Sequence, residues 1–289
     1  MRFKYLFITC LISIGATAQE NNAQSPWTHS GLTGLNFSQT SFTHWSEGGE
    51  NSISGNAYFN GSLNYTKGKS SWTNDLSANY GLYYTDNNGW RKNIDNLNFA
   101  SKYGRKISDK LFYAALLDFK TQLTDGFDYK NNTKSKVSRF MTPGYINLSL
   151  GIDYKPNENI SVYYSPLSGK VTLINDTTFS VRYGVDAGEK IRNEFGSNFK
   201  GTVNYNFYDK KMTVKSTLDL FTAYNESFGN VDVNWDVLVG LNFTKLLTLT
   251  FQSTLKYDDD IASTSDDGTV HGAKVQFKEI IGVGISYKF

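Results

Sequence analysis

The chain is poor in the residues that mark most functional classes. One cysteine in 289 residues excludes a disulfide scaffold and a cysteine-rich zinc site. No run of about 20 apolar residues occurs, so no helix long enough to cross a bilayer is encoded. Twenty-nine basic residues against 27 acidic ones give a net charge of +2, with no basic footprint for nucleic acid. Histidine is scarce, and His29 and His271 stand alone without ligand spacing, as surface residues would. Three of the four prolines, Pro143, Pro156 and Pro166, sit where strand patterns pause, since proline cannot donate to a sheet ladder. Aromatics, by contrast, abound: 20 Phe, 19 Tyr and 5 Trp are too many for a disordered chain. With 25 Gly and many Asn, Ser and Thr, they indicate short strands joined by turns.

The first eighteen residues have the form of a secretory signal. Arg2 and Lys4 precede the apolar stretch Leu6 to Ala16, and Ala16-Thr17-Ala18 offers a small-residue cleavage site before Gln19. Cys10 lies inside the apolar stretch, away from a lipidation position, so the mature chain is expected to have no cysteine. The expected organisation is a signal peptide at 1–18, a short periplasmic segment at 19–30 and a β-barrel at 31–289.

From there the sequence alternates with a period of two almost to its end, the strand signature. Ile53, Ala57, Phe59, Leu63 and Tyr65 share one face, opposite Asn56, Asn60 and Asn64. The same holds for Trp72 to Tyr84, Leu111 to Leu123, Ile146 to Tyr154, Phe195 to Phe207 and Val231 to Phe243. With a first strand near Leu35 and Phe37, about twelve strands are expected. On the apolar faces only Glu279 is charged. The opposite faces carry Asp75, Lys102, Asp118, Lys120, Asp153, Arg192, Glu194, Lys200, Lys215, Asp219, Asp232, Asp236, Lys256, Lys274 and Lys278. A soluble sandwich would have to pack all its apolar faces into one core. A closed, antiparallel, up-and-down transmembrane barrel turns them to lipid, where a Lys or Arg at the midplane costs about 2–4 kcal/mol. The charged set would then line the lumen.

Connection lengths point the same way. Short turns are expected around 67–69, 105–109, 155–159, 208–211 and 244–245. Longer loops are expected at 43–51, 85–93, 124–139, 175–190, 225–230 and 258–272. Outer-membrane barrels show this alternation, with both termini on the short-turn, periplasmic side. Tyr65, Trp72, Tyr103, Tyr154, Tyr205, Phe243 and Tyr287 would form one aromatic girdle. Tyr84, Trp90, Tyr164, Phe195, Tyr224, Trp235, Tyr257 and Phe277 would form the other. The last strand, ending in Phe289, carries the alternation that barrel-insertion machinery reads.

Trp45-Ser46-Glu47-Gly48-Gly49-Glu50-Asn51-Ser52, after Leu35-Asn36-Phe37, resembles an uncharacterised family of Bacteroidota outer-membrane β-barrel proteins with a W-x-x-G-G-x-N-S motif near the mature N-terminus. Asn79-Tyr80-Gly81-Leu82, Lys102-Tyr103-Gly104, Thr142-Pro143-Gly144-Tyr145 and Ser165-Pro166-Leu167-Ser168-Gly169-Lys170 extend the likeness along the mature chain. The resemblance implies a Gram-negative outer-membrane barrel and no particular activity. Trp45, Gly48, Gly49, Asn51 and Ser52 are its loop signature.

Chemistry is thin. His44 and Ser46 could serve lipid hydrolysis only with a positioned partner such as Asn51 or Asn56, and two neighbouring glycines fit a turn better. Asp258-Asp259-Asp260 and Asp266-Asp267 make one loop acidic, without the spacing of a calcium loop. No cofactor, metal or enzymatic activity is expected. The lumen charges suit a passive pore for small solutes, or a barrel closed by salt bridges that serves as an accessory subunit for another envelope protein. Outer-membrane lipid and lipopolysaccharide are the expected surroundings.

Overall fold

A computed structural model describes residues 25–41, 50–129, 133–209, 211–225, 228–264 and 270–289. The expected signal peptide, His44, Ser46 and the motif residues Trp45, Gly48 and Gly49 lie outside them. Twelve strands roll into a closed barrel: β1 (Trp27–Thr40), β2 (Ser52–Lys67), β3 (Ser70–Thr85), β4 (Gly89–Lys106), β5 (Leu111–Thr121), β8 (Gly144–Asn157), β9 (Ile160–Leu173), β10 (Ile191–Phe207), β11 (Met212–Ala223), β12 (Asp232–Asn242), β13 (Leu247–Tyr257) and β16 (Gln276–Lys288). Each pairs antiparallel with its predecessor, and β16 closes on β1. Two small ribbons decorate the loops: β6 (Gly126–Asp128) with β7 (Ser135–Ser138), and β14 (Ala262–Thr264) with β15 (Val270–Ala273).

At one end the strands are joined by 68–69, 107–110, 158–159, 208–211 and 243–246. The opposite end carries 41–51, 86–88, 122–143, 174–190, 224–231 and 258–275. Two boundaries differ from the sequence expectation. The wall begins at Trp27, ahead of residue 31, because Trp27 to Ser30 pair with Tyr65 to Ser62 and Trp27 packs on Tyr65 and Trp72 at 4.9 and 5.9 Å. The expected loop 85–93 shrinks to a tight turn. Gly89 adopts φ 66°, left-handed space open to glycine, and Asn88 N–H donates to Thr85 O at 3.2 Å. The strand then resumes at once, with Trp90 against Tyr84.

Pro166 does not end its strand. Ser165 Oγ donates to Leu150 O at 2.7 Å and accepts from Leu167 N–H at 3.2 Å, bracketing a proline that has no N–H to give. The pairing slips between Leu150 and Ile152 of β8. Such a bulge adds a residue and reverses which face the following side chains occupy. Tyr164 and Leu167 accordingly both face outward, 52% and 54% exposed.

Outside, the wall is apolar. Leu148, Leu150 and Ile152 of β8 and Ile281, Val283 and Ile285 of β16 stand exposed in rows. Trp72 and Tyr103, at the short-turn end, anchor their polar tips on Ser101 and Ser70. Trp235 does the same on Ser216 toward the other end. Tyr164 departs from the girdle pattern, being five residues into β9 and mid-wall. Glu279 is exposed on this face, four residues into β16 on the long-loop side.

The join between first and last strands is the shortest. β1 aligns with β16 over Leu32–Asn36, continued by two backbone bonds between Gly31 and Phe289 at 2.8 and 3.1 Å, whereas every other neighbouring pair of wall strands aligns over ten or more positions. Gly282 and Gly284 make room there for Asn36, whose Nδ2 donates to Thr250 Oγ1 at 3.0 Å. A Cβ on Gly284 would lie 2.0 Å from Leu35 O and 2.7 Å from Asn36 Cα. Gly284→Ala is therefore expected to lower unfolding free energy by about 1–3 kcal/mol. Gly169→Ala, where a Cβ meets nothing within 4 Å, should stay within about 0.5 kcal/mol of the parent. Urea titrations followed by tryptophan fluorescence compare the two. Equal losses would show that crowding at the join is not the cause.

Candidate functional site: the barrel lumen

Alternation and closure turn the charged residues of the wall inward, and most of these find partners across the lumen rather than beside them. Near the short turns, Asp153 of β8, almost fully buried, accepts from Lys102 of β4 at 2.8 Å and from Ser161 of β9 at 2.7 Å, with Lys155 at 3.6 Å. Lys215 of β11 reaches Asp75 of β3 at 3.5 Å. Five strands lie between β3 and β11 in either direction, so this pair spans the full width of the barrel. Asp75 also accepts from Ser62 Oγ of β2.

A middle tier links β5 to β10 and β11. Lys120 Nζ donates to Asp219 at 3.0 Å, Lys200 pairs with Asp118, and Lys200 lies 3.9 Å from Asp219. Asn198 adds a bond to Asp219 at 2.8 Å. Above it, Lys170 of β9 gathers Asp232 at 2.6 Å, Glu194 at 3.4 Å and Asp258 at 3.6 Å. Arg192 holds Glu194 at 3.4 Å and Asp260 at 2.7 Å. Two carboxylates of the acidic loop are thus neutralised at the mouth of the barrel. The third, Asp259, accepts from Tyr257 Oη at 3.0 Å and from Asn230 Nδ2. Asp266 and Asp267 fall outside the described residues. Among those described, no group of three His, Cys, Asp or Glu side chains is arranged to hold a metal ion.

One side of the lumen is solid. Tyr163 of β9 is fully buried against Leu116 and Ala114 of β5, and its hydroxyl donates to Ser149 at 3.0 Å. The other side is hollow. A cavity of about 340 Å³ is bounded mainly by β1 to β5, β10 to β13 and β16. Lys288, Asn206 and Asn242 bound it toward the short turns, and Lys256, Lys278 and Asn234 toward the long loops. Its charged lining comprises Asp75, Asp118, Asp219 and Asp236 against Lys120, Lys200, Lys215, Lys256, Lys278 and Lys288.

Among the residues expected in the lumen, Lys274 lies off the wall, exposed in the two-residue link between β15 and β16. Lys170 was not expected there, because its face follows from the bulge at Pro166. Lys155 falls in the expected turn 155–159, and Lys288, absent from the expected lumen set, alternates inward between exposed Tyr287 and Phe289 at the end of β16. Asn51, of the loop motif, donates to Asp86 at 2.9 Å, and Ser52 opens β2. In the long loops, Asp125 is held below the ordinary carboxylate range by its bond to Lys136, at 2.7 Å. Asp176 is lowered likewise by Thr178, whose side-chain hydroxyl and backbone N–H both donate to it.

Fold and lumen together define a closed twelve-stranded antiparallel barrel with a charged, partly hollow interior. A family described as a protein of unknown function (DUF3078) matches residues 37–127, from late β1 through most of β6. No curated protein matches the chain. Solved structures with similar folds include an outer-membrane channel from Pseudomonas putida F1, 11% identical, covering 94% of this chain and 100% of that one at a TM-score of 0.40. The translocator domain of the autotransporter NalP from Neisseria meningitidis is 10% identical, covering 93% and 90%, at a TM-score of 0.40. The NanC porin is 9% identical, covering 89% and 99%, at a TM-score of 0.39.

The Asp153 cluster tests how far the packed side of the lumen depends on charge. Removing one partner of a buried ion pair leaves the other uncompensated, at about 3–5 kcal/mol. Asp153→Ala is expected to lose stability on that scale, and Lys102→Met combined with Asp153→Leu to recover most of it. Urea midpoints of the refolded barrels measure both.

Proposed function

We propose that the chain is an outer-membrane barrel of a Gram-negative bacterium that passes small polar solutes without energy input. The observation that carries this reading is the cavity of about 340 Å³, lined by polar side chains from the short-turn end to beyond mid-wall. A lumen filled throughout, as on the Tyr163 side, would leave no such path.

The outer face supports the membrane setting. Exposed rows of Leu, Ile, Val and Phe right around the wall exceed the few hundred Å² of apolar patch that a soluble monomer shows. Apolar surface left in water forgoes about 25 cal/mol per Å². Short turns would face the periplasm together with both termini, and the long loops would face outward. Replacing outward, mid-wall Leu150, 57% exposed, by Arg should cost about 2–4 kcal/mol in phospholipid vesicles. A neutral result in urea titration would remove the wall from the bilayer core.

One feature favours a second, non-conducting reading, in which the barrel serves as an accessory subunit. The Asp75–Lys215 pair bars the lumen from wall to wall. Both readings meet in one experiment. The parent protein in planar bilayers should give small stepwise currents. The double variant Asp75→Ser with Lys215→Ser, which opens the bar without leaving a lone charge, should give larger ones. If neither protein gives steps, the pore is excluded and the accessory reading stands.

A further inference from the structure

The cavity's charges are unevenly matched. Lys120 is paired with Asp219, at 3.0 Å. Asp236 of β12, the remaining acid near the upper cavity, accepts from neutral donors, Asn234 Nδ2 and Thr254 Oγ1, each at 2.7 Å. Lys256 of β13 and Lys278 of β16 line the same cavity, and among the described residues neither side-chain ammonium group makes a hydrogen bond or ion pair. Their strands are adjacent. Lys278 aligns with Thr254 and Lys256 with Gln276, which makes the two lysines diagonal neighbours on the inward face. Like charges so placed repel. Asp236 is the acid that Lys256 and Lys278 share; Asp258 also lies within electrostatic reach of Lys256, while Lys120 adds to the repulsion there.

We propose that Lys256 and Lys278 form a binding site for a small oxyanion inside the lumen, and that the pore prefers anions to cations. The preference deepens the pore reading and rests on it; the binding site itself does not. A sulfate or carboxylate lodged between the two ammonium groups would relieve their repulsion. Lysine suits a transit site, since its flexible stem and compact charge hold an ion without the fixed fork of arginine. Six lysines against four aspartates leave the cavity lining net positive, with the excess at its ends, where Lys256 and Lys278 share Asp236 and Lys288 stands at the other end.

The test has a binding arm and a conduction arm. Barrel refolded in detergent is titrated calorimetrically with sodium sulfate at constant ionic strength. Saturable binding is expected. It should weaken at least tenfold in the Lys256→Gln, Lys278→Gln double variant, persist in Lys256→Arg, and stay unchanged in Lys274→Gln, off the wall. In bilayers under a potassium chloride gradient, the reversal potential should report chloride preference in the parent and its loss in the double variant. Binding without current upholds the site and overturns the pore. Current without saturable binding or lysine-dependent selectivity upholds the pore and overturns the site. Sulfate binding equal in parent and double variant overturns the site whatever the current.

Discussion

Closure is the constraint on which everything else rests. A sheet rolled until its last strand meets its first removes the long free edge, so most backbone donors and acceptors are met within the wall. Once the backbone is satisfied, the chemistry of each face is free to follow its surroundings, and a period of two sends alternate residues to opposite sides. Here the division is stark. Leucine, isoleucine and aromatic rings face out, while asparagine, serine, threonine and nearly all the wall's charge face in.

Confinement then decides how those charges are handled. An inward lysine can extend across the lumen, and the pairs bridge strands two to six places apart around the ring: Lys102 with Asp153, Lys170 with Asp232, Lys120 with Asp219, Lys215 with Asp75. Such struts brace the wall from within. They also divide the interior unequally, because Tyr163 and Leu116 fill the side next to the Asp153 cluster and leave the cavity on the other. A barrel can thus be both braced and hollow, its stiffness and its free space residing on different strands.

Much of this architecture was legible in the sequence, because alternation is a local signal repeated in nearly every strand. Strand number, the closed up-and-down plan and the contrast between short and long connections all follow from it. Legibility failed where periodicity was interrupted. The Pro166 bulge reversed the phase of β9 and hid Lys170, which turns out to hold three carboxylates. The glycine turn at Gly89 let β4 start early, and Lys274 carried strand-like spacing although it lies in a link between strands. Pairing across the lumen was beyond sequence altogether. Asp75 and Lys215 are 140 residues apart in the chain, and only the rolled sheet brings them within reach.

The seam between β1 and β16 has its own consequence. Five aligned positions and the Gly31–Phe289 bonds beside them, roofed by Asn36 over two glycines, hold the cylinder shut, against ten or more positions along every other line of the wall. If the chain unzips, this is the stave that springs first. The barrel would then become a curled ribbon with two raw margins, each seeking a strand to mate with. Its integrity as a vessel is set by its weakest hoop, and that hoop is made of the residues farthest apart in the chain.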